Sequence, residues 1–439
     1  NIGKTKRRNV DKCRYMKLNQ IKKTPFLRKS LALLAALKHG FPAKDLKIIG
    51  ITGTCGKTTT SFMVKNILEA AGLKTGLIGT AGYYLGDGEV ILPKAKTPAT
   101  TPDPFVLHRL LKKMKEKNIK AVVMEVSSFG LMYQRVYGLN FSSAVLTNLS
   151  FNHHISLHGN MEKYVTEKLK LFKSLSSSAI AVLPKESEYY PLFKKNTKAK
   201  NISFGFDDSS DLWAEIKQIN KSSTQSVIHF KGNVFSLVLP LSGAFNVANA
   251  LSAIGAVDFF SFDTEIIKKG LESLKSIPGR LEILKDNDPF TVIVDKANNP
   301  SAFDAVIEFI KQWQPKKKIA VYGNFGEAPL EERQKLAEIA TNFFDLTIIT
   351  EDDPQYESPE KGINDFLDYV KTAKVPSSKY KAVLRRKEAI KEAIKQAQAG
   401  DLIAVLGRGN EQIMDYGKKT VFFDDREVAR EVLKEQGYL

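Results

Sequence analysis

The chain has 439 residues, 43% hydrophobic and 26% charged, a balance that excludes disordered, collagenous and low-complexity proteins. At roughly 100–200 residues per domain, this length predicts two to four domains. Only two cysteines occur, Cys13 and Cys55, which excludes a disulfide framework and favours a cytoplasmic protein.

The net charge of +18 is concentrated near the first residue. Residues 1–30 contain eleven Lys and Arg against one acid, Asp11, so this arm carries +10 and the rest of the chain +8. Such an arm binds nucleic acid, anionic lipid or an acidic substrate, or is a solvated tail. Nucleic acid is not expected as a partner, because no DNA- or RNA-binding module accompanies the arm.

A short apolar helix is predicted behind the basic arm, at Leu31–Leu37. It is far shorter than the ~20 residues of a membrane span and has no following cleavage site of a signal peptide. The helix either packs within the fold or rests on a membrane surface. Residues 1–40 are therefore a candidate for peripheral membrane contact.

Strand-like and helical patterns alternate along the first half of the chain. Residues 46–51 form a strand that enters a glycine loop, and a helical pattern runs from Thr59 to Ala71. Five further elements are predicted in the same way: strands at Ala121–Val126, Ser143–Leu146 and Ile180–Leu183, and helices at Pro104–Lys117 and Met161–Ser174. This alternation predicts a parallel sheet with helices on both faces.

The pattern changes in the middle of the chain and then resumes. Antiparallel strands are predicted at Val227–Phe230 and Val234–Leu239, followed by a helix at Asn246–Phe259 and a break near Ile277–Arg280. A second alternating series follows: Thr291–Val294 strand, Ala302–Gln312 helix, Lys318–Tyr322 strand, Glu331–Phe343 helix, Leu346–Thr350 strand, Lys387–Gln398 helix and Leu402–Leu406 strand. This series predicts a second α/β unit.

The segment Gly53-Thr-Cys-Gly-Lys-Thr-Thr59 has the composition and context of a phosphate-binding loop. A strand precedes it and a helix follows, so backbone N–H groups at the start of the helix can cradle phosphate oxygens. Lys57 can reach the β- and γ-phosphates, and the Thr58 hydroxyl can bind Mg²⁺. The loop predicts nucleotide binding without indicating the group to which phosphate is transferred.

Further motifs follow the loop in order. They are Thr100-Thr-Pro-Asp-Pro104, Met124-Glu-Val-Ser-Ser128, Gln134-Arg135, Thr147-Asn-Leu-Ser150, His158-Gly159, Gly243-Ala-Phe-Asn-Val-Ala-Asn249, Gly279-Arg280, Asp295-Lys-Ala-Asn-Asn-Pro300, Glu351-Asp-Asp-Pro354 and Gly407-Arg-Gly-Asn-Glu411. With these motifs the sequence resembles the Mur ligase family from about residue 46 to its end. The similarity is greatest to the muramyl-tripeptide synthetase branch.

The resemblance implies an α/β fold with a central P-loop ATPase domain, built on a mostly parallel sheet, and a C-terminal Rossmann-like α/β domain. The implied boundaries are residues 1–45 for the basic arm and short helix, 46–283 for the central domain and 284–439 for the C-terminal domain.

The implied activity is that of an ATP- and Mg²⁺-dependent amide ligase. The γ-phosphate activates a carboxylate of an anionic muropeptide-like acceptor as an acyl phosphate, and the amine of an amino acid then displaces phosphate. Because phosphate and carboxylate are both anionic, cations must converge at the site. Two alternatives stay open: a polyglutamate- or polymer-type ligase of the same fold, and a degenerate relative that binds nucleotide without ligation.

The resemblance also implies the catalytic and metal-binding residues. Lys57 and Thr58 serve the phosphates and one Mg²⁺. A second Mg²⁺ site uses Glu125 and a histidine, for which His154 is favoured by its spacing to Lys168 and His153 by its spacing to the Thr147–Ser150 motif. Lys168 matches the family lysine that is carbamylated, which turns a cation into a metal-binding anion.

The remaining site residues come from the same motifs. The implied ATP-binding residues are Gly53, Thr54, Gly56, Lys57, Thr58, Thr59, Asn246, Asn249, Arg280 and Asp295. The implied substrate-binding residues are Thr100, Thr101, Ser127, Ser128, Arg135, Arg333, Asp352, Asp353 and Glu411. For Asn246, capping of the following helix is the alternative role.

Two departures from the family pattern bear on the substrates. Members that select meso-diaminopimelate have Asp-Asn-Pro-Arg where this chain has Asp352-Asp-Pro-Gln355, and glutamine cannot form a bidentate ionic contact with a second carboxylate. Asp353 adds a negative charge, which favours lysine or another cationic amino acid. The second departure is that the phosphate loop begins at residue 53, whereas in relatives a domain that holds a uridine nucleotide precedes this loop. We therefore expect the basic arm to contact an anionic part of the acceptor, such as a diphosphate, or a membrane.

Overall fold

The computed structural model of the protein describes residues 24–86, 88–91, 99–150, 158–286 and 289–439. The helices in chain order are α1 (Pro25–Lys38), α2 (Lys57–Ala70), α3 (Pro104–Glu116), α4 (Ser128–Met132), α5 (Met161–Lys173), α6 (Tyr190–Lys195), α7 (Ala244–Ala256), α8 (Thr264–Glu272), α9 (Pro300–Lys311), α10 (Leu330–Phe343), α11 (Pro359–Thr372), α12 (Arg386–Gln396) and α13 (Asp425–Glu435), with short 3₁₀ helices at Pro42–Asp45, Asp258–Phe260 and Ser377–Lys379.

The strands in chain order are β1 (Lys47–Thr52), β2 (Thr75–Gly79), β3 (Gly82–Tyr84), β4 (Val90–Ile91), β5 (Ala121–Glu125), β6 (Phe141–Leu146), β7 (Ile180–Pro184), β8 (Lys200–Gly205), β9 (Leu212–Ile219), β10 (Thr224–Phe230), β11 (Asn233–Leu239), β12 (Glu282–Lys285), β13 (Thr291–Asp295), β14 (Lys318–Phe325), β15 (Leu346–Asp352), β16 (Tyr380–Ala382), β17 (Leu402–Leu406), β18 (Ile413–Asp415) and β19 (Thr420–Phe422).

Eleven strands form the first sheet, in the order β11-β10-β9-β8-β7-β6-β1-β5-β2-β3-β4. Strands β9 to β2 in this order are parallel, whereas β10 and β11 at one edge and β3 and β4 at the other are antiparallel. β1 lies at the centre, between β5 and β6, and its apolar residues are buried on both faces, as in the interior of a parallel sheet. This arrangement confirms the mostly parallel sheet predicted from the sequence.

Two hydrophobic layers hold helices against the faces of this sheet. Ile48 of β1 packs in the layer that contains Leu107 of α3 and Leu169 of α5. Its neighbour Ile49 points to the opposite layer, with Val64 of α2 and residues of α7. Side chains that alternate along β1 therefore contact α2 and α7 on one face and α3 and α5 on the other. The loop that joins β1 to α2 lies at the carboxyl edge of the sheet.

The second sheet has six strands in the order β12-β13-β17-β14-β15-β16. All its pairs are parallel except β12 with β13. Helices α9, α10 and α11 cover one face and α12 and α13 the other, and β18 and β19 form a separate hairpin. The predicted second α/β unit is thus confirmed as a sheet with helices on both faces.

Most predicted elements are present, and the omissions have a physical cause. The antiparallel strands predicted at Val227–Phe230 and Val234–Leu239 are present as the β10–β11 hairpin, in which Phe230 pairs with Asn233. The sequence reasoning missed β2, whose five residues include Gly76 and Gly79, since glycines obscure a strand pattern. It also missed β8 and β9, where polar residues such as Glu215 and Lys217 interrupt the apolar run.

Helix α1 begins at Pro25 and packs on α3, and its small residues Ala32, Ala35 and Ala36 are buried. Its longer apolar side chains, including Phe26 and Leu37, are exposed. Among the described residues, no helix is both long and apolar enough to cross a membrane. The basic arm lies largely outside the described residues, because they begin at residue 24, so its predicted membrane contact stays a prediction.

Gly270 allows α8 to lie directly on α2, and we predict that replacing it with alanine destabilises the protein. A Cβ atom at Gly270 would lie 2.5 Å from Ile67 Cα and 2.9 Å from Ile67 N, which are backbone atoms that cannot rotate away. We expect Gly270→Ala to lower the unfolding free energy by about 1–3 kcal/mol despite the better helix propensity of alanine.

The measurement is the urea midpoint of the first unfolding transition. Lys269→Ala, an exposed change one residue earlier on the same helix, is the control, with an expected effect within about 0.5 kcal/mol. Equal midpoints for the two variants would contradict the close helix contact.

Candidate active site

The phosphate loop connects β1 to α2 at the carboxyl edge of the first sheet. Gly56, which precedes α2, has φ 81°, and a Cβ atom there would lie 2.3 Å from Asn249 Oδ1. Glycine is therefore required at this position by both its conformation and its neighbour. The close approach brings Asn249 of α7 against the loop, where its Oδ1 also accepts a hydrogen bond from Thr60 Oγ1 at 3.3 Å.

Polar groups of the loop are paired with surrounding side chains. Lys57 Nζ donates to the carbonyl oxygens of Gly53 at 2.9 Å and Thr54 at 2.8 Å. The Thr54 hydroxyl lies 3.2 Å from the Tyr164 hydroxyl, and Asn148 Oδ1 accepts a hydrogen bond from Cys55 N at 2.9 Å. These contacts hold the loop in a cradle with the Lys57 ammonium at its centre.

Glu125, at the end of β5, is buried beside the loop. Its Oε1 accepts hydrogen bonds from Thr58 Oγ1 at 3.0 Å and Thr80 N at 3.1 Å, and its Oε2 accepts one from Thr80 Oγ1 at 3.2 Å. From the other side, Arg280 Nη2 donates to Thr58 Oγ1 at 3.2 Å. The Thr58 hydroxyl thus joins a carboxylate of the central sheet to a guanidinium that precedes the second sheet.

Lys168 of α5 is the second cation at the loop. Its side chain is buried, its Nζ donates to the Gly53 carbonyl oxygen at 2.8 Å, and it lies 4.6 Å from the Tyr164 ring centroid. Burial lowers the pKa of Lys168 from its ordinary value of 10.5 to about 7. Burial and, second, the charge of Lys168 also lower the pKa of Lys57, because two ammonium groups meet at one carbonyl.

A cavity of about 590 Å³ opens from the loop between the two sheets. The predicted site residues that line it are Gly53, Thr54, Gly56, Lys57, Thr58, Thr59, Thr100, Thr101, Glu125, Ser127, Ser128, Arg135, Lys168, Asn246, Asn249, Arg280, Asp295 and Glu411. The fold thus brings most of the predicted residues to one space.

One end of the cavity combines amides with apolar side chains. Asn246 and Asn249 lie one turn apart on α7, and Asn246 Nδ2 donates to the Ser242 carbonyl oxygen at 2.8 Å. The helix is preceded by Gly243, so the alternative role of Asn246 as its cap is wrong. Apolar lining residues were not predicted for the site, and of these only Phe245 belongs to one of the motifs, Gly243–Asn249; they are Leu241, Phe245, Ile277, Ala302, Ala305 and Val306.

The opposite end is lined by hydroxyls and one guanidinium. Thr101 Oγ1 donates to the Glu125 carbonyl oxygen at 2.9 Å and accepts from Ser127 N at 2.9 Å, while Arg135 Nη1 donates to the Thr101 carbonyl oxygen at 2.7 Å. These bonds tie the Thr-Thr-Pro segment to the strand that carries Glu125. They place the predicted substrate-binding hydroxyls next to the phosphate loop.

Two acidic residues reach the cavity from the C-terminal half. Asp295 accepts a hydrogen bond from Leu281 N at 2.7 Å, and its burial raises its pKa to about 6 although Arg280 opposes the shift. Glu411 forms an ion pair with Lys296, which also lines the cavity. Lys296 was not predicted as a site residue, since it occupies a position where the family motif has tyrosine.

Three predicted residues lie elsewhere. Arg333 does not line the cavity; its guanidinium is buried and paired with Asp365 at 2.7 Å and Glu357 at 2.5 Å. Asp352 and Asp353 are both paired with Arg408, at 3.1 and 2.6 Å. Asp353, which was predicted to add a negative charge for a side-chain amine, is therefore already paired with a buried guanidinium, and its role in selecting the amino acid stays a prediction.

The two candidate metal-binding histidines, His153 and His154, lie outside the described residues, so the choice between them stays open. In the part of the chain that the structure describes, no group of three or more His, Cys, Asp or Glu residues could hold a metal ion. Among the residues that the structure describes, a metal at Glu125 would therefore draw on hydroxyl or modified-lysine ligands as well. Tyr164, which contacts both Thr54 and Lys168, was missed, although its position one helical turn before Lys168 is visible in the sequence.

A phosphate loop beside a buried carboxylate and a buried lysine, in a cavity between two α/β sheets, defines a nucleotide-binding α/β enzyme. The Mur ligase middle-domain model matches residues 51–257, and the Mur ligase glutamate-ligase-domain model matches residues 279–409. The chain belongs to the Mur ligase family, whose members are ATP-dependent ligases that form carbon–nitrogen bonds.

Among relatives, a UDP-N-acetylmuramoyl-L-alanyl-D-glutamate–2,6-diaminopimelate ligase of Clostridium tetani is 37% identical over 93% of this chain and 82% of its own. The Clostridium botulinum enzyme of the same name is 35% identical over 98% of this chain and 86% of its own. A solved structure of a ligase with that name is 26% identical, with a TM-score of 0.60 over 90% of this chain and 80% of that one. Folylpolyglutamate synthase of Mycobacterium tuberculosis, 20% identical with a TM-score of 0.72 over 90% of this chain and 96% of that one, shares the fold.

We predict that Arg408 stabilises the C-terminal domain. Replacing it with glutamine leaves Asp352 and Asp353 buried without their shared cation, and such a loss costs about 3–5 kcal/mol. Arg385→Gln is the matched control, because Arg385 pairs with the neighbouring Glu351 but has a 64% exposed side chain, and exposed pairs contribute about 0–1 kcal/mol. Urea unfolding measures both, and equal losses would contradict a structural role for Arg408.

Proposed function

We propose that this protein ligates an amino acid to a UDP-N-acetylmuramoyl-dipeptide or a related muropeptide acceptor, at the expense of ATP. The observation that carries the proposal is the convergence of Lys57, Thr58, Glu125 and Lys168 in one cavity, with hydroxyls at one end and paired asparagines at the other. The names of the relatives, which specify such an acceptor, support the proposal.

The reaction has two steps. A carboxylate oxygen of the acceptor attacks the γ-phosphorus of ATP and ADP leaves; the amine nitrogen then attacks the acyl carbon, loses a proton, and phosphate leaves. Lys57 neutralises phosphoryl oxygens during the first step, and Arg280, which contacts Thr58, adds a second positive charge there. Preorganised cations at this point lower the barrier between two anionic reactants.

We assign ATP binding to the loop and to the asparagine end of the cavity. Asn246 and Asn249 present amides beside the apolar side chain of Phe245, a combination that fits a flat purine with polar edges. Asp295, next to Arg280, then lies beside the ribose or phosphate groups. The acceptor occupies the opposite end, at Thr100, Thr101, Ser127, Ser128 and Arg135.

We propose that Mg²⁺ binds at two positions. The Thr58 hydroxyl and the Glu125 carboxylate are hard oxygen ligands that are already 3.0 Å apart. We assign the first site to Thr58 and the second to Glu125, carbamylated Lys168 and either His154 or His153. Mg²⁺ supplies charge neutralisation and orientation of the phosphoryl oxygens.

Carbamylation of Lys168 is supported by its surroundings. At a pKa of about 7 the amine is roughly half neutral at pH 7, whereas an ordinary lysine is almost fully protonated. A neutral amine attacks CO₂, forms a carbon–nitrogen bond and releases one proton. The product is an anion, so it replaces repulsion of Lys57 with attraction.

We predict that ligase activity depends on CO₂ and falls as the pH drops below about 7. Protonation of Lys168 below its pKa removes the nucleophilic form, so the carbamate is lost on the acid side and kept on the alkaline side. We expect Lys168→Ala to abolish ligation, measured as phosphate release, and short-chain carboxylates to restore part of it.

The matched control is Lys170→Ala. Lys170 lies on the same helix, but it is more exposed and pairs with Glu167 at 2.6 Å. It should retain activity without added carboxylate. Full activity of Lys168→Ala, or of wild-type protein depleted of CO₂, would contradict the carbamate.

The amino acid binds near Glu411, whose carboxylate can exchange its Lys296 partner for an α-ammonium group. The relatives named above act, by name, on 2,6-diaminopimelate. Gln355 stands where members that select this amino acid have arginine, so we propose that this chain prefers a cationic amino acid without the second carboxylate, such as lysine.

We predict a lower KM for lysine than for meso-diaminopimelate. The measurement is amino-acid-dependent phosphate release with the UDP-linked dipeptide acceptor. Gln355→Arg restores the missing guanidinium and should shift kcat/KM towards meso-diaminopimelate by about tenfold, the scale of one charge-assisted contact. Preference of the wild-type protein for meso-diaminopimelate would refute this assignment without affecting the ligase activity itself.

A further inference from the structure

An ion pair faces the cavity from the second sheet. Lys296 directly follows β13 and Glu411 follows β17, and these two strands are parallel neighbours. The Lys296 ammonium donates to the Glu411 carboxylate, and both residues line the cavity. Their side chains are only 14% and 15% exposed. The carboxyl ends of two parallel strands therefore present one cation and one anion together at the cavity wall.

The backbone segments that carry this pair are packed against each other. Gly409, two residues before Glu411, has φ 57°, and a Cβ atom there would lie 2.7 Å from Lys296 Cβ and 2.8 Å from Lys296 N. Lys296 N also donates to the Gly279 carbonyl oxygen at 3.1 Å. The lysine ammonium itself is carried by a flexible four-carbon stem. Lys296 Nζ can therefore leave Glu411 while both backbone segments stay in place.

The other cations at the cavity already have roles in the proposed function. Among the described residues, the positively charged side chains that line the cavity are Lys57, Arg135, Lys168, Arg280 and Lys296. Lys57 and Arg280 serve the phosphoryl groups. Lys168 carries the carbamate, and Arg135 contacts the acceptor. Of these five, Lys296 alone has no assignment, and it contacts the carboxylate that is proposed to hold the amine.

The α-carboxylate of the amino acid needs a cation, and the predicted one is not at the cavity. Arg333, which was predicted to bind it, does not line the cavity and is paired with Asp365 and Glu357. Arg408 is likewise held by two buried aspartates. An amino acid bound through its ammonium to Glu411 therefore brings a second negative charge to a place where Lys296 is the adjacent cation.

We propose that Lys296 and Glu411 form a clamp for the zwitterionic head of the amino acid, in which Glu411 binds the α-ammonium and Lys296 binds the α-carboxylate. This inference rests on the proposed ligase function and deepens it. In the free protein the two side chains neutralise each other. The zwitterion carries the same two charges on groups bonded to one carbon, so it can enter the pair and give each partner a new counterion. Neither charge of the clamp is then left unpaired, a state that is strongly unfavourable away from water.

The clamp is selective, because only a compound with both charges satisfies both partners. An amino acid whose α-carboxylate is converted to an amide still pairs with Glu411, but it displaces Lys296 and gives it no anion in return. The family motif has tyrosine at the position of Lys296, and tyrosine brings no positive charge. The second half of the clamp is therefore a feature of this chain's own sequence.

The test measures amino-acid-dependent phosphate release by the 439-residue protein, with the UDP-linked dipeptide acceptor and saturating ATP. One probe is whichever of lysine and meso-diaminopimelate the wild-type protein uses better. The other is the same compound with the α-carboxylate beside the reacting amine converted to an amide. We expect the wild-type protein to favour the free carboxylate about tenfold in kcat/KM, the scale of one charge-assisted contact.

Lys296→Gln removes the charge but keeps a donor for Glu411, and we expect it to bring the preference close to unity. The variant also removes an internal competitor for Glu411, which changes the KM of both probes alike and cancels in the ratio. Lys296→Tyr introduces the residue of the family motif and is a second neutral variant, with the same expected loss, should glutamine disturb folding. Lys296→Arg keeps a cation and should retain most of the preference.

Lys311→Gln is the matched control. Lys311 also pairs with a glutamate, Glu308, but both side chains are more than half exposed on α9. We expect its ratio to equal that of the wild-type protein. Thermal melting and the KM of ATP check the folding of each variant.

Three results would overturn the clamp. They are equal use of both probes by the wild-type protein, a wild-type ratio in either neutral variant, and a Lys296→Arg variant that is no more selective than the neutral ones. The proposed function fails in a different way, if neither lysine nor meso-diaminopimelate supports phosphate release by the wild-type protein.

Discussion

The hydroxyl of Thr58 connects the central sheet, the helix that follows the phosphate loop and the segment that precedes the second sheet. It donates to Glu125 on the central sheet and accepts from Arg280, and its own backbone belongs to the first turn of the helix behind the phosphate loop. Because Arg280 precedes the second sheet, this contact links the phosphate loop to the C-terminal half of the chain. The cavity exists at this edge because the carboxyl ends of parallel strands leave polar groups that a second domain can cover.

This arrangement brings two positive charges close together in the interior, which is electrostatically unfavourable. Lys57 and Lys168 both donate to the Gly53 carbonyl oxygen, so two buried ammonium groups share one acceptor. Burial lowers the pKa of both, and their mutual repulsion lowers that of Lys57 further. A site that binds anionic phosphates tolerates such crowding, and the proposed carbamate on Lys168 would turn one of the two cations into an anionic metal ligand.

The sequence was sufficient for those parts of the site that depend on local geometry. The phosphate loop was predictable because one strand, four loop residues and one helix N-terminus determine it. Glu125 followed from the Met124–Ser128 motif that the sequence shares with the Mur ligase family. The strand β2 was not predictable from its apolar pattern, because glycines occupy two of its five positions.

The partner of the C-terminal acidic motif could not be predicted from the sequence. Asp353 and its partner Arg408 lie 55 residues apart, on segments that follow β15 and β17, and only the order of the strands in the sheet brings them together. Charge in the sequence indicated a binding site, whereas the fold uses that charge for an internal ion pair. The apolar end of the cavity escaped prediction for the opposite reason, since Leu241 and Val306 belong to no recognisable motif.

Arginine side chains of this fold have two kinds of surroundings, and we infer that one serves stability and the other ligand binding. A guanidinium buried among carboxylates, like that of Arg408, cannot leave them without exposing unpaired charge, so it is part of the scaffold. A guanidinium held over an aromatic face keeps both its charge and its donors, so it can bind a ligand without first breaking an ion pair. Arg135 has the second arrangement: its guanidinium carbon lies 5.6 Å from the Tyr133 ring centroid, and both residues line the cavity. The carboxylates around Arg408 therefore stabilise the fold, whereas the guanidinium of Arg135 lies at the cavity in which the acceptor is proposed to bind.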